Sequence, residues 1–384
     1  MSSPFPALGP LAGVRVLEMA GIGPVPFCAT LLSDLGADVI RLDRVRGSAG
    51  SLPDPLLAVD RGRRSVAVDI KLPKGRDVAL RLAGAVDVLL EGYRPGVMER
   101  LGLGPDECSA DNPGLVYGRM TGWGQEGPYA AMAGHDINYI GLSGVLHTIG
   151  GEGDPIPPLN LVADYGGGAL YLAVGVLAAL IDRRRSGLGQ VVDTAMIDGT
   201  ASLMSVVYRL FSVGYWEDRR TANLLDGAAP FYRTYRTADG GHVAVGAIEP
   251  QFYDELLRGI GLDGADLPHQ MDRDRWPEVA SLFAERFAAR TRAQWEEAFA
   301  GSDACVSPVL SLSEAPSHPH NAARRTFTMR NGHPAPAPAP RFSRSRAIPG
   351  RDASRTGSHT VEVLEQFGYT PPEIASLLES GAIA

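Results

Sequence analysis

A chain of 384 residues with 45% hydrophobic and 21% charged residues is long enough for about two or three average domains, and that balance belongs to neither a fibre nor a disordered protein. The formal net charge is −8 and the basic residues are scattered, so nucleic acid is not an expected partner, because phosphate binding needs a concentrated positive footprint. Cys28, Cys108 and Cys305 stand far apart with no CxxC spacing, so neither a disulfide framework nor a metal site is expected, and a reducing compartment is.

The N-terminus Met1-Ser2-Ser3-Pro4-Phe5-Pro6 lacks a charged start followed by an apolar run, and no signal peptide is expected. The apolar run Val14 to Met19 reads as a strand ending at the Gly-Pro-rich segment Ala20 to Pro26. Cys28, Leu31, Leu32 and Leu35 then recur at helical spacing until Gly36, and Asp38 to Leu42 reads as the next strand. Ser65 to Asp69 alternates like a strand, Pro73 to Gly84 supplies a helix, and Val86 to Leu90 and Leu115 to Met120 read as further strands. Strands interleaved with helices predict an open, doubly wound parallel α/β sheet. An apolar helix is predicted from about Gly166 to Arg183; its apolar core, Ala169 to Ile181, falls short of the ~20 residues that span a bilayer. The cytoplasm is therefore the expected location, with no membrane partner.

Past residue 200 the composition changes. Phe231 to Arg236 and His242 to Val245, joined by Asp239-Gly240-Gly241, predict a hairpin, and helical segments follow from Pro250 to about Ala300. The alternation Pro334 to Pro340 has the character of a stiff polyproline spacer, and Thr360 to Ala384 reads as a terminal helical piece.

The turn Gly21-Ile22-Gly23-Pro24-Val25-Pro26 sits where a dinucleotide fingerprint would, with Asp43 placed 20 residues past Gly23. Pro26 replaces the third glycine, and Pro24 and Pro26 remove N–H donors that a pyrophosphate would need. A tight turn lining a pocket for another ligand is the better reading.

Three stretches place ionisable groups among glycines and apolar residues: Ala133 to Tyr139, Asn160 to Gly168 and Val245 to Pro250. Taken singly, His135 has use as a core histidine, Asp164 as the N-cap of the apolar helix, and Glu249 as the cap of a helix at Pro250. The Asp164 stretch has one feature a cap does not need. Gly166, Gly167 and Gly168 would leave the first N–H groups of that helix open to a developing oxyanion. A carboxylate beside such a site suits proton removal α to a carbonyl.

These motifs identify a resemblance. With Leu11 to Glu18, Leu35 to Arg41, Glu91 to Gly96, Thr121 to Pro128 and Asp303 to Val309 in the same order, the chain resembles the family III CoA-transferase (CaiB/BaiF) superfamily along essentially its whole length, and within it the alpha-methylacyl-CoA racemases. Transferases of the superfamily carry Phe-Asp where this chain has His135-Asp136, and use an aspartate nucleophile that matches Asp164. The racemases carry Gly-His-Asp-Ile-Asn-Tyr, matching residues 134–139, and Gly-Ala-Ile-Glu-Pro-Gln, matching 246–251.

The resemblance implies a racemase acting on 2-methylacyl-CoA thioesters without a bound cofactor, with CoA transfer through a covalent intermediate at Asp164 as the alternative. His135 and Asp164 would be the two bases on opposite sides of the α-carbon. Glu249 would orient His135, and Gly166 to Gly168 with the Asp164 N–H would hold the enolate oxygen. Arg41 and Arg94 would contact CoA, Asp136 would lie near its pantetheine or adenine, and Lys71, Arg63 and Arg64 are further phosphate partners. The implied architecture is an interlocked homodimer of chains with a Rossmann-like large domain, whose open parallel sheet binds CoA, and a smaller α+β domain. The expected layout is a large domain over 1–195, a linker over 196–227, a small domain over 228–318, a return linker over 319–340 and a C-terminal segment over 341–384 that rejoins the large domain.

Overall fold

The computed structural model of the protein describes residues 9–45, 61–345, 347 and 350–384. The N-terminal stretch read as lacking a signal peptide falls on residues 1–8, outside the described residues. Six strands, β1 (Arg15–Met19), β2 (Asp38–Asp43), β3 (Arg63–Ala67), β4 (Val88–Glu91), β5 (Val116–Thr121) and β6 (Val191–Ala195), form one sheet ordered β3-β2-β1-β4-β5-β6. Every neighbouring pair is parallel. The central strands are buried along nearly their whole length, which is why apolar residues occur on both of their faces instead of alternating with polar ones.

The helices Pro24–Asp34 and Pro73–Ala83 begin with proline, whose missing N–H is one that a first turn leaves unpaired anyway. Leu17, Ile40, Val66, Leu89 and Tyr117 from the sheet meet Val78 and Leu82 in one core cluster. The C-terminal helices Thr360–Gln366 and Pro371–Glu379 add Val363, Leu364, Ile374 and Leu377 to it. Each such side chain contributes about 1.5–3 kcal/mol of burial. A β-bridge between Val68 and Ile383 ties the end of the chain to the segment after β3.

The chain divides into two compact units. The first takes the described residues up to Ser143, then Pro158–Met204 and the described residues from Ala337 onward; the second takes Gly144–Pro157 and Ser205–Pro336. Residues 144–157 fall within the expected large domain, yet they cluster with the second unit. Arg220 explains it: its guanidinium donates to the carbonyls of His147, Gly151 and Gly153.

In the second unit, β7 (Tyr232–Arg236), β8 (His242–Gly246) and β9 (Val306–Pro308) form an antiparallel sheet in that order. The helices Pro250–Gly259, Trp276–Phe287 and Arg292–Ala298 pack an aromatic core with it, in which the Tyr235 and Phe287 rings stack at 4.9 Å. The Trp295 indole N–H donates to the Phe287 carbonyl at 2.8 Å, so its polar atom is satisfied inside that core.

Two elements differ from expectation. The Pro-Ala tract begins inside a hairpin, β10 (Phe327–Arg330) paired antiparallel with β11 (His333–Pro336), and is not a spacer there. A two-stranded ribbon has only edge strands, where proline can occupy the side whose N–H needs no partner. The apolar helix is also longer than the run 169–181: Leu161–Ser186 is one helical stretch of 26 residues, by length and composition enough to cross a membrane. It packs on β5 and β6 as a core helix would.

Candidate active site

The order of the large sheet reverses between β1 and β4. Ligands of open α/β sheets bind outside the carboxyl ends of strands at such a switch point. A cleft of 380 Å³ lies there, lined by Gly23 and Val25 after β1, Tyr93 and Arg94 after β4, Trp123 after β5, and by His135, Tyr139, Asp164 and Met196. The Gly21–Pro26 turn does line a pocket. Gly23 has φ +75°, and a Cβ added to it would stand 3.4 Å from Asp164 Oδ2, so the turn comes down directly over that carboxylate.

His135 precedes the helix Asp136–Leu142 in extended backbone, and its N–H donates to Asn138 Oδ1 at 3.0 Å. That bond leaves the imidazole outside the helix, exposed and lining the cleft. Asp136, the next residue, turns inward. It is buried, and its Oδ2 accepts the N–H groups of Ala163 and Asp164, each at 2.8 Å.

Asp164 is not an N-cap, and no helix starts at the glycines. A π-helix begins earlier, at Leu161, runs through Ala169 and continues as the α-helix Leu170–Ser186. π-helical turns inside longer helices recur at functional sites. The glycine run serves close packing. A Cβ on Gly167 would meet Thr200 N at 2.7 Å, and one on Gly199 would meet Gly167 O at 1.8 Å. Gly168 packs against Met196 and Pro24, and Gly166 against Leu203 and the Leu161 carbonyl. The N–H groups of Gly166 to Gly168 therefore lie inside the π-helix, and the Asp164 N–H is held by Asp136. The open helix N-terminus expected to receive an enolate oxygen is absent at these residues.

Asp164 itself is half-buried. Burial raises its proton affinity above the ordinary carboxylate range and the Asp136 charge adds to this, while the Asn160 amide, donating to Oδ2 at 3.2 Å, and His135 pull the other way. His135 and Asp164 line the same cleft. The upward direction suits a group that must carry a proton for part of a cycle.

Tyr139 and Trp123 form an aromatic wall, with ring centroids 4.7 Å apart and edge-on. The Tyr139 hydroxyl donates to the Gly134 carbonyl at 2.5 Å. Burial, with the Asp164 charge second, pushes the phenol up to about 12, so it stays protonated. Sequence reasoning named neither ring as a site residue, although both stand in motifs it quoted.

The arginines divide sharply. Arg94 lines the cleft, exposed. Arg41 is buried and its Nε pairs with Asp43 at 2.9 Å. Arg63 is sealed in, with Nε 2.7 Å from Glu18 and Nη1 donating to Thr30 Oγ1 at 2.8 Å and to the Arg61 carbonyl at 2.9 Å. Arg64 pairs with Asp38 at 2.7 Å and donates to Gln366 at 2.6 Å. Arg41, Arg63 and Arg64 thus bind carboxylates of the fold and line neither this cleft nor its neighbour. Asp136, expected near CoA, lines neither as well.

The neighbouring cavity, of 450 Å³, is where Lys71 stands, with Arg44, Arg100, Asp43, Asp69 and Tyr93. Arg44 and Arg100 escaped the sequence reading because they lie in no quoted motif. Tyr93 lines both cavities. Its backbone N–H donates to Glu91 Oε2 at 2.7 Å, and Glu91 Oε1 accepts Arg119 Nε at 3.1 Å. Burial pushes Glu91 up to about 7 despite those two donors.

Glu249 lies in the second unit, just before the helix Pro250–Gly259. Its exposed side chain makes no cap bond, so the capping use open to it in the sequence is not realised.

The family model for CoA-transferase family III matches residues 11–360. The chain is 50% identical over 371 residues to the alpha-methylacyl-CoA racemase of Mus musculus and 49% identical over 371 residues to that of Homo sapiens, in each case over 96% of both chains. The crystal structure of a CaiB/BaiF family protein from Brucella suis superposes with a TM-score of 0.78 at 25% identity, covering 94% of this chain and 99% of that one. A match of this extent, on a sheet whose switch point holds His135 and Asp164 in one cleft, makes the chain a member of CoA-transferase family III.

Proposed function

We propose that the protein is an isomerase, an alpha-methylacyl-CoA racemase that inverts the carbon next to the thioester of 2-methylacyl-CoA substrates. The observation that carries the reading is the pairing of His135 with Asp164 on one cleft. One base takes the α-proton, the electron pair passes onto the thioester oxygen, and the other base returns a proton to the opposite face of the planar enolate. The balance needs no oxidant, reductant or metal. Identity of about half to racemases of two mammals supports this over CoA transfer, for which the histidine has no use.

Incubation of one enantiomer of a 2-methylacyl-CoA in D2O tests it. Deuterium at the α-carbon with loss of stereochemical purity is expected. CoA passing to an added carboxylate, with acyl trapped on Asp164 and no exchange, would replace the reading with transfer.

The CoA nucleotide is proposed to occupy the cavity of Lys71, Arg44 and Arg100, whose cations suit phosphates. Arg94 then lies toward the thioester end. Lys71→Ala is expected to raise KM about tenfold with kcat nearly unchanged, the pattern of lost uniform binding. An unchanged KM at low salt would empty that cavity of phosphate.

A homodimer is proposed from apolar surface that the chain leaves uncovered. Leu170, Val174 and Ile181 are 47%, 66% and 69% exposed along one helix, and in the second unit the helix Ser205–Ser212 buries none of its residues. Faces of this kind mark protein contacts. Sedimentation is expected to give twice the mass of 40.7 kDa, and a single-chain mass at micromolar concentration would remove the proposal. Glu249 is proposed to orient His135 of the partner subunit, where an acid would hold the imidazole tautomer. Mixed dimers of His135→Ala and Glu249→Ala chains that regain no activity would count against this. The cytoplasm is the proposed compartment, in keeping with three free cysteines, and fractionation of the source cells checks it.

A further inference from the structure

Beside the two bases stands a third ionisable group that touches neither cavity. Asp136 follows His135 in sequence and is 6% exposed. Its Oδ2 grips the backbone N–H groups of Ala163 and Asp164 at 2.8 Å each, and its Oδ1 is buried with no hydrogen-bond partner among the described residues. Two N–H groups at the first turn of a helix can be held by a neutral oxygen, as serine and asparagine do at N-caps. A carboxyl here carries an added cost, a second buried oxygen that no described residue satisfies. The fold places an ionisable carboxyl where a neutral cap would serve the backbone equally well.

We infer that Asp136 is a positioning residue whose charge, clamped to the Asp164 backbone, sets both the spacing of the two bases and the protonation of Asp164. The inference rests on the racemase reading of the cleft. One residue carries both connections. Its own backbone continues from His135, and its side chain holds the peptide of Asp164, so a shift of either base is transmitted to the other. The sign of the electrostatic effect follows from the charge. A second negative group beside Asp164 favours the protonated carboxyl, and Asp136 acts on Asp164 in this direction.

The other groups facing Asp164 do not supply that effect. Asn160 and His135 favour its ionised form. The Tyr139 phenol stays neutral, and Arg94 acts on that phenol. The Pro24–Asp34 helix and the Met196–Leu203 helix bring Pro24, Val25 and Met196, none of them charged, to the cleft.

The test is the pH profile of kcat/KM in Asp136→Asn, read together with α-proton exchange in D2O. Asparagine keeps the acceptor for the two N–H groups and loses the charge. The acid limb of the profile, where the base form of Asp164 takes up a proton, is expected to move to lower pH. Asp136→Ala, which loses the clamp as well, is expected to lower kcat/KM about 100-fold. A structural cap alone would leave the acid limb where it is in every folded variant, and that result overturns the inference. If the amide variant does not accumulate, the acid limb of Asp136→Ala, which has lost the charge as well as the clamp, is read in its place. Exchange by the wild-type protein keeps the two ideas apart: its absence sinks the racemase reading, whereas exchange with an unmoved acid limb sinks only the role of Asp136.

Discussion

Replacing His135 by alanine is expected to abolish inversion while leaving the protein folded. The imidazole is exposed, and the backbone N–H of His135 keeps its bond to the Asn138 side chain at the start of the helix. Proton transfer by a positioned group is worth about 10²–10⁴-fold, so racemisation should fall by that factor with the thermal transition unmoved. A two-base cleft with one base left predicts more. Asp164 would still be able to withdraw and return a proton on its own face, so exchange of solvent deuterium into one enantiomer should outlast inversion. Chiral separation followed by mass spectrometry reads both rates from a single incubation. Full inversion by His135→Ala would remove the histidine from the chemistry.

Arg63→Ala is expected to injure the fold instead of the chemistry, and by the largest amount of any single arginine here. Both side chains of the Arg63–Glu18 pair are fully buried. Removing the guanidinium takes from the buried Glu18 the cation 2.7 Å away, and breaking a buried pair from one side costs about 3–5 kcal/mol. It also releases the oxygens of Thr30, Arg61 and Pro26. Thr30 and Pro26 belong to the helix whose preceding glycine lies over Asp164, so the damage reaches the site through the backbone. Urea denaturation is the measurement. The double change Arg63→Met with Glu18→Met should recover much of the loss, because neutral side chains leave no uncompensated charge. A variant Arg63→Ala as stable as wild type, but with a raised KM, would restore the phosphate role that its sequence position suggested.

What the sequence made legible follows from how local each signal is. The strands of the large sheet announce themselves because a parallel strand buried on both faces is largely apolar on both, as in Val88-Leu89-Leu90. β9 is only Val306–Pro308, too short to carry a pattern of its own. The glycine run misled for a physical reason: glycines at 166–168 look the same whether they open a helix or let two helices touch, and only the position of Gly199 decides. Arg41, Arg63 and Arg64 misled in another way. Arg63 and Arg64 reach from β3 to Glu18 on β1 and Asp38 on β2, and strand register is not written within one strand, whereas Arg41 pairs with Asp43 two residues along β2 itself. His135, Arg94 and Asp164 were legible because family motifs contain them, and they line one cleft. Asp136 was legible as a motif residue, but its inward turn was not.

Tyr93 is a wall common to both cavities, and with the nucleotide placed as proposed it would make the protein a measuring device. If the nucleotide is anchored among Lys71, Arg44 and Arg100, the thioester reaches the bases at a distance counted from that anchor and past a single fixed ring. The count is then independent of what lies beyond the α-carbon. Acyl groups of very different length would present the same atom to the same two bases. Cutting the handle short would be felt at the chemical step as well as in affinity, because the far end supplies the alignment of the near one.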